Sequence, residues 1–126
     1  MEEVIKKLKF KSVGVVINAP SAMKKEFVAL GFSVLSEPEE GTANTILFVN
    51  NNAEFLYFSN NWLNHIVPDS VCWIAYPKGS SKIKTDINRD TLRITAEGYG
   101  ITTVSAISID DTWSALRFRP IDKVGK

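Results

Sequence analysis

A chain of 126 residues, 44% hydrophobic and 23% charged, has the size and composition of one globular domain and is too short for two ordinary ones. Fifteen basic residues against fourteen acidic ones leave a net charge of +1, which gives no overall field to gather nucleic acid or anionic lipid. The single cysteine, Cys72, lies inside the apolar run Val71-Cys72-Trp73-Ile74-Ala75-Tyr76 and cannot staple the chain, which fits a reducing, cytoplasmic setting.

The first seven residues, MEEVIKK, lack the apolar core of a signal peptide, and no stretch approaches the ~20 apolar residues that span a bilayer. The sequence therefore predicts no membrane partner. Glu2–Leu8 reads as a short amphipathic helix, acidic in its first turn and basic later, in accord with the helix dipole. Residues 12–18 (SVGVVIN) show no polar alternation before Asn18, the pattern of a strand buried on both faces. Ala19-Pro20-Ser21 breaks it. Ser21 is placed to cap a helix over 22–30, with Phe27, Val28 and Leu30 facing inward and Gly31 ending it.

Residues 32–35 predict a short strand, and 36–44 (SEPEEGTAN) an exposed, mobile loop. A buried strand follows at 45–49, then the turn Asn50-Asn51-Asn52. A helix over 53–66 would bury Phe55, Leu56, Trp62, Leu63 and Ile66 and leave Tyr57 and Phe58 partly off that face, free to touch a neighbouring element or subunit. Residues 71–76 predict the third central strand and 77–84 (PKGSSKIK) a loop. Thr85 or Asp86 is placed to cap a helix to about Glu97, whose inner residues, Asn88, Thr91, Leu92, Thr95 and Tyr99, are rather polar. Residues 101–109 and 113–118, joined by Asp110-Asp111-Thr112, predict an antiparallel hairpin. Helices alternating with buried strands imply a three-layer, Rossmann-like α/β domain over 1–126, with a mostly parallel sheet and that hairpin at its end.

No phosphate-binding glycine loop, zinc-binding H-E-x-x-H, C-x-x-C or nucleophile-elbow motif occurs, and His65 is the only histidine. The sequence thus offers no catalytic residue, metal site or cofactor. Gly98-Tyr99-Gly100 follows a helix rather than a strand and reads as a helix stop. Open α/β sheets bind ligands beyond the carboxyl ends of their strands. Asn18 and Ser21, Asn50, and the run Lys78-Gly79-Ser80 fall there. The last combines a cation, a close-approach glycine and a hydroxyl, a set suited to a small anion. The alternative for Lys78 is an ordinary surface turn. His65 reads as a helix-end or surface group, and Asp110 and Asp111 as turn residues. Arg117 and Arg119 leave their strand on the same side, suited to pairing with acids or to an anion-binding face. The lysines at 6, 7, 9 and 11, and at 78, 82 and 84, read as solvated surface, so nucleic-acid binding is the least favoured class.

The stretch from Pro68 to Pro120, with an apolar strand carrying Trp73 and ending in Pro77-Lys78, a capped helix near Asp86, Gly100 and Asp111-Thr112-Trp113-Ser114, resembles a small bacterial family of unknown function. It covers about the last half of the chain, with a looser match over 13–66, and carries no known chemistry. The same half looks like the distal part of the class I methyltransferase-like fold. That resemblance implies a last strand inserted antiparallel between its two neighbours. Such enzymes hold S-adenosylmethionine at a glycine-rich turn after the first strand. Here that turn, Asn18-Ala19-Pro20-Ser21, has no glycine, Pro20 removes a donor, and Glu37 is the nearest acidic counterpart for a ribose. Two functional readings are open. The first is a non-catalytic module acting through protein contacts or homodimerisation. The second is a binder or enzyme for a nucleotide, S-adenosylmethionine or a phosphorylated metabolite, with Lys78, Gly79, Ser80 and Asn18 as its floor.

Overall fold

The computed structural model of the chain describes residues 2–79 and 83–124. In chain order it contains α1 (Glu2–Leu8), β1 (Val15–Ile17), α2 (Ser21–Ala29), β2 (Ser33–Leu35), β3 (Thr45–Phe48), α3 (Asn52–Asn61), β4 (Cys72–Pro77), α4 (Arg89–Glu97), β5 (Ile101–Ser108) and β6 (Trp113–Pro120). Single 3-10 turns follow α3 at Leu63–His65 and β6 at Ile121–Lys123. The six strands form one mixed sheet in the order β2-β1-β3-β4-β6-β5. The first four are mutually parallel, so the three apolar runs that read as central strands do lie side by side in one direction. β6 is antiparallel to both neighbours and sits between β4 and β5.

The strands lack polar alternation because both faces of the sheet centre are covered. One core joins Val16, Ile46, Phe48, Trp73, Ala75 and Ala115 to Leu8 of α1 and to Met23 and Phe27 of α2. The other joins Ile17, Leu47, Ile74, Leu116 and Phe118 to Phe55, Phe58 and Trp62 of the α3 segment and to Leu92 and Ala96 of α4. Successive strand residues alternate between these two cores, as the pleat requires. Every residue of β3 is buried. Each fully buried side chain of the Val, Leu, Ile or Phe class contributes roughly 1.5–3 kcal/mol. Trp73 adds a polar tie, since its indole Nε1 donates to the Leu8 carbonyl at 2.8 Å and pins the end of α1 to the sheet. Gly14 is small for a packing reason: a Cβ there would collide with the rings of Phe10 and Phe32.

Several expectations need correction. Ser21 is the first residue of α2 and not its cap. Pro20 holds the cap position without a side-chain bond, and its carbonyl accepts Lys24 N at 2.8 Å. The inner stripe of α2 is Met23 and Phe27, four residues apart; Val28 lies round the helix and Leu30 beyond its last turn, and both are exposed. In α3, Phe55 and Phe58 are three apart on one face, so Phe58 is buried and only Tyr57 projects, 62% exposed. The helix stops at Asn61. Bonds of i-to-i+3 type, from His65 N to Trp62 O and from Ile66 N to Leu63 O, tighten the turn beyond it.

Neither Thr85 nor Asp86 caps α4. Asn88 does so through a reciprocal pair with Thr91, Thr91 N donating to Asn88 Oδ1 at 3.0 Å and Asn88 N to Thr91 Oγ1 at 2.8 Å. Asn88 and Thr91 are accordingly exposed, and Leu92 and Ala96 face inward. The loop over 36–44 is exposed in its first part alone. Thr42 is bridged to Ile66, and Asn44 is buried with its side chain between Lys11 N and Ser12 Oγ, both at 3.0 Å. Within 32–35, Ser33–Leu35 forms an edge strand paired with β1, and Phe32 precedes it.

Arg119 grips Asp69 with two bonds, Nε to Oδ1 at 2.7 Å and Nη2 to Oδ2 at 2.9 Å, tying the end of β6 to the loop before β4. The guanidinium holds the Asp69 carboxyl below the ordinary aspartate value of 3.8. A depressed native pKa means that the pair's stabilisation is complete above that ordinary value and disappears as pH falls through the lower native one. Asp69→Asn should therefore lower stability at neutral pH and flatten the acid limb of a urea-midpoint-versus-pH curve. An unchanged acid limb would show that another carboxylate controls it.

Candidate functional site

The connection from β1 to β2 runs to one side of β1, while β3 lies on its other side, which makes the β1/β3 boundary the point where the strand order reverses. The β2-to-β3 connection contains no helix, only the loop with its Thr42 bridge. Nothing helical is therefore supplied at this point to fill the space beside α3. A cavity of about 410 Å³ opens at the carboxyl ends of β1, β2 and β3. Its apolar wall includes Leu35, Phe58 and Trp62, its aromatic rim is Tyr57, and its charged groups are Lys24 and Glu54.

Glu54 is the organised element. Its Oε1 accepts from Asn50 N at 2.8 Å, from Asn50 Nδ2 at 3.1 Å and from Asn18 Nδ2 at 3.1 Å. The same Asn18 amide also donates to the Phe48 carbonyl at 2.8 Å, linking the ends of β1 and β3. Asn18 reaches this position through a left-handed backbone, φ 61°, a conformation that asparagine tolerates better than most residues. Glu54 is fixed from behind as well. Its backbone N–H donates to Asn51 Oδ1 at 2.9 Å, the cap of α3. Three donors on one oxygen leave Oε2 without a donor among the described residues, and Lys24 Nζ has no hydrogen-bond partner among them either.

The fixed charge at the strand ends is thus negative. Two of the first-turn amides of α3 that would otherwise attract an anion are already engaged, Asn52 N with Asp86 Oδ1 at 2.8 Å and Glu54 N with Asn51. A ligand suited to this geometry presents hydroxyl or ammonium donors to Glu54 and lays an apolar or planar body along Leu35, Trp62 and Tyr57.

Of the residues that the sequence singles out, Asn18 lines the cavity and Asn50 anchors its carboxylate. Ser21 is exposed at the start of α2, outside the lining. Lys78 and Gly79 are not brought to the cavity either. Lys78 Nζ donates to Ser108 Oγ at 2.7 Å and Lys78 N to Thr112 O at 2.7 Å, so that turn belongs to the β5–β6 hairpin. Ser80 lies outside the described residues. Strand-end position does not point to Glu54, although Asn51-x-x-Glu54 ahead of an apolar helix is a capping-box pattern legible in the sequence.

The remaining reactive groups have structural roles. Asp110 Oδ1 accepts Thr112 N and Trp113 N, both at 2.8 Å, and shapes the hairpin turn. His65 Nδ1 sits 2.5 Å from Glu40 Oε1, a contact of ion-pair length not aligned as a hydrogen bond, and its carbonyl accepts Gly41 N. Burial pushes the Cys72 thiol up to about 12, which keeps it protonated and unreactive. Burial likewise raises the Tyr76 phenol, while Arg89 pulls it down by less. No group of three or more His, Cys, Asp or Glu residues that could hold a metal occurs among the described residues. Nor is any helix among them long and apolar enough to cross a membrane. Comparison with protein-family models, curated proteins and solved structures finds no match to this chain.

Asn18 separates two effects that substitution can resolve. Asn18→Ala removes both side-chain bonds and places a Cβ residue without a polar tip at φ 61°; Asn18→Gly removes the bonds alone. The alanine variant should unfold at lower urea than the glycine variant, by about 1 kcal/mol. Equal stability of the two would show that the left-handed turn relaxes.

Proposed function

We propose that the chain is a small-molecule-binding module, a Rossmann-like three-layer α/β domain whose ligand occupies the crevice between β1 and β3. The observation that carries this reading is the Glu54 carboxylate, held at the strand ends by Asn18 and Asn50 beside a cavity of about 410 Å³. That volume falls in the range of roughly 300–1,000 Å³ typical of ligand pockets. The lining holds no nucleophile paired with a base among the described residues, so the reading is one of binding. Nucleosides and S-adenosylmethionine carry the donors that Glu54 can accept, a ribose diol and, in the latter, an ammonium. A phosphate would meet Glu54 unfavourably, which moves the expected ligand away from the anions suggested by Lys78.

A thermal-shift screen of nucleosides, S-adenosylmethionine and phosphorylated metabolites tests this. A true ligand at 100 times its dissociation constant stabilises by ~2.7 kcal/mol. Its effect should be lost in Glu54→Gln and kept in Lys78→Ala. No shift with any non-phosphorylated donor ligand, or a shift indifferent to Glu54, would end this reading.

Association with a second copy is a further reading with its own observation. β5 is a sheet edge of eight residues, ITTVSAIS, with no charge and no proline. Natural edges usually carry such residues to block pairing. An antiparallel β5–β5 contact would join two sheets with identical, uncharged partners. Light scattering should then report a dimer that Ala106→Lys, on an exposed position of β5, converts to monomer. A monomer at all concentrations in the unaltered chain would exclude it.

A further inference from the structure

On the face of the sheet covered by α1 and α2, a second cleft of about 490 Å³ lies between α1 and the β5–β6 hairpin. Lys6, Lys7 and Lys9 of the α1 end line it together with Trp73 of β4, Arg117 of β6, and Ser105 and Ile107 of β5. Among the described residues, four cations and no carboxylate line this space.

The helix dipole accounts for part of this. Lys6 and Lys7 lie in the last turn of α1, where cations are favoured. It does not account for Arg117, which stands on the sheet. Arg117 Nε is buried and has no acceptor among the described residues. Two residues on, Arg119 is satisfied by both oxygens of Asp69. A buried donor left unpaired is costly, and such exceptions mark places where an acceptor is missing.

The backbone assembles the rest. In the sheet register Arg117 stands opposite Trp73 of β4 on one side and Ser105 of β5 on the other. Ser105 reaches that position because the β5–β6 register shifts between Thr103 and Ser105, a bulge that leaves Val104 unpaired and re-aims the hydroxyl. Lys9 turns the chain at the end of α1 with φ 59°, and the Trp73 indole bond to Leu8 O fixes that end against the same row. Flexible lysines thereby share the cleft with a half-buried arginine, whose planar fork matches two oxygens of a phosphate.

We propose that this cleft binds a compact molecule bearing two or more phosphate groups, with Arg117 and Ser105 holding one phosphate at the base and Lys6, Lys7 and Lys9 neutralising the others. A single-stranded nucleic acid fits less well. Its bases would need an exposed aromatic platform, and Trp73 is 1% exposed with its N–H donated to Leu8. The site is separate from the strand-end crevice, whose fixed charge is the Glu54 carboxylate, and neither depends on the other.

The test is isothermal titration of the full chain with inorganic triphosphate, with ATP and with a 12-nucleotide single strand, at low and moderate salt. Saturable binding of triphosphate is expected, weakened at least tenfold by Arg117→Gln and also weakened by the combined change Lys6→Gln, Lys7→Gln, Lys9→Gln. If Arg117→Gln fails to fold, the lysine variant decides, because those three side chains are solvent-exposed. ATP binding no weaker than triphosphate marks a nucleotide as the source; triphosphate alone marks a free polyphosphate; either supports the site. Absence of saturable triphosphate binding, affinity unchanged in the lysine variant, or tighter binding of the oligonucleotide than of either phosphate compound would overturn it.

Discussion

Burial of β3 on both faces is the constraint on which the rest of the molecule depends. All four of its residues are buried, and Ile46, Leu47 and Phe48 alternate between the core under α1 and α2 and the core under α3 and α4. A strand so placed can be neither an edge nor half-wet, so β1 and β4 must flank it. Parallel pairing then demands long connections that cross the sheet, which is where the chain places its helices. One connection departs from this pattern. From β2 to β3 the chain crosses without a helix and is held by long-range bonds: Thr42 bonds to the chain around Ile66, and the Asn44 side chain bonds to Lys11 and Ser12.

That departure explains why a cavity exists at the strand-order reversal. A helix between β2 and β3 would pack against Ile17 and Leu35 on the α3 side of the sheet. In its place there is open volume bounded by Phe58 and Trp62. The polar end of the volume is over-determined, because one carboxylate oxygen of Glu54 gathers donors from both strand ends. Bonds from several directions hold that side chain in one place, as a binding group requires. This rigidity is what makes Glu54 the centre of the proposed ligand site, and what makes Asn18 and Asn50 its supports.

The apolar runs of β1, β3 and β4 are legible in the sequence because two-sided burial removes alternation, a signal that survives without any knowledge of neighbours. The hairpin is legible because a three-residue link leaves the two strands little alternative. Helix faces are less so. In α2 the aliphatics Val28 and Leu30 imitate a core stripe, and only the four-residue spacing of Met23 and Phe27 shows which side meets the sheet. At Phe58 the difference has a functional consequence, since an exposed aromatic there would suggest a protein contact, and the ring is buried. The candidate site is half legible. Asn18 and Asn50 are marked by their position after strands. Lys78 carries the same mark, but β6 enters beside β4 and draws the Lys78 turn into the hairpin through Ser108 and Thr112. Strand-end position places a residue near the rim of a sheet; which cavity it joins depends on the neighbour across the sheet, and that is tertiary information.

Net charge hides the same kind of information. A total of +1 predicts a bland surface, yet the charges are sorted in space. The crevice at the ends of β1 and β3 is organised by a carboxylate, whereas the cleft between α1 and the β5–β6 hairpin gathers Lys6, Lys7, Lys9 and Arg117. Sequence distance conceals the second grouping, because Arg117 is more than a hundred residues from the lysines and meets them only through the position of β6 in the sheet. Its neighbour Arg119 shows what the ordinary solution looks like, a guanidinium closed by one carboxylate. Two arginines of one strand therefore receive opposite treatment: Arg119 is paired within the fold, and Arg117 Nε has no acceptor among the described residues and lies beside three lysines. An acceptor for Arg117 Nε has to come from beyond the described residues, and that is the premise of the proposed phosphate site.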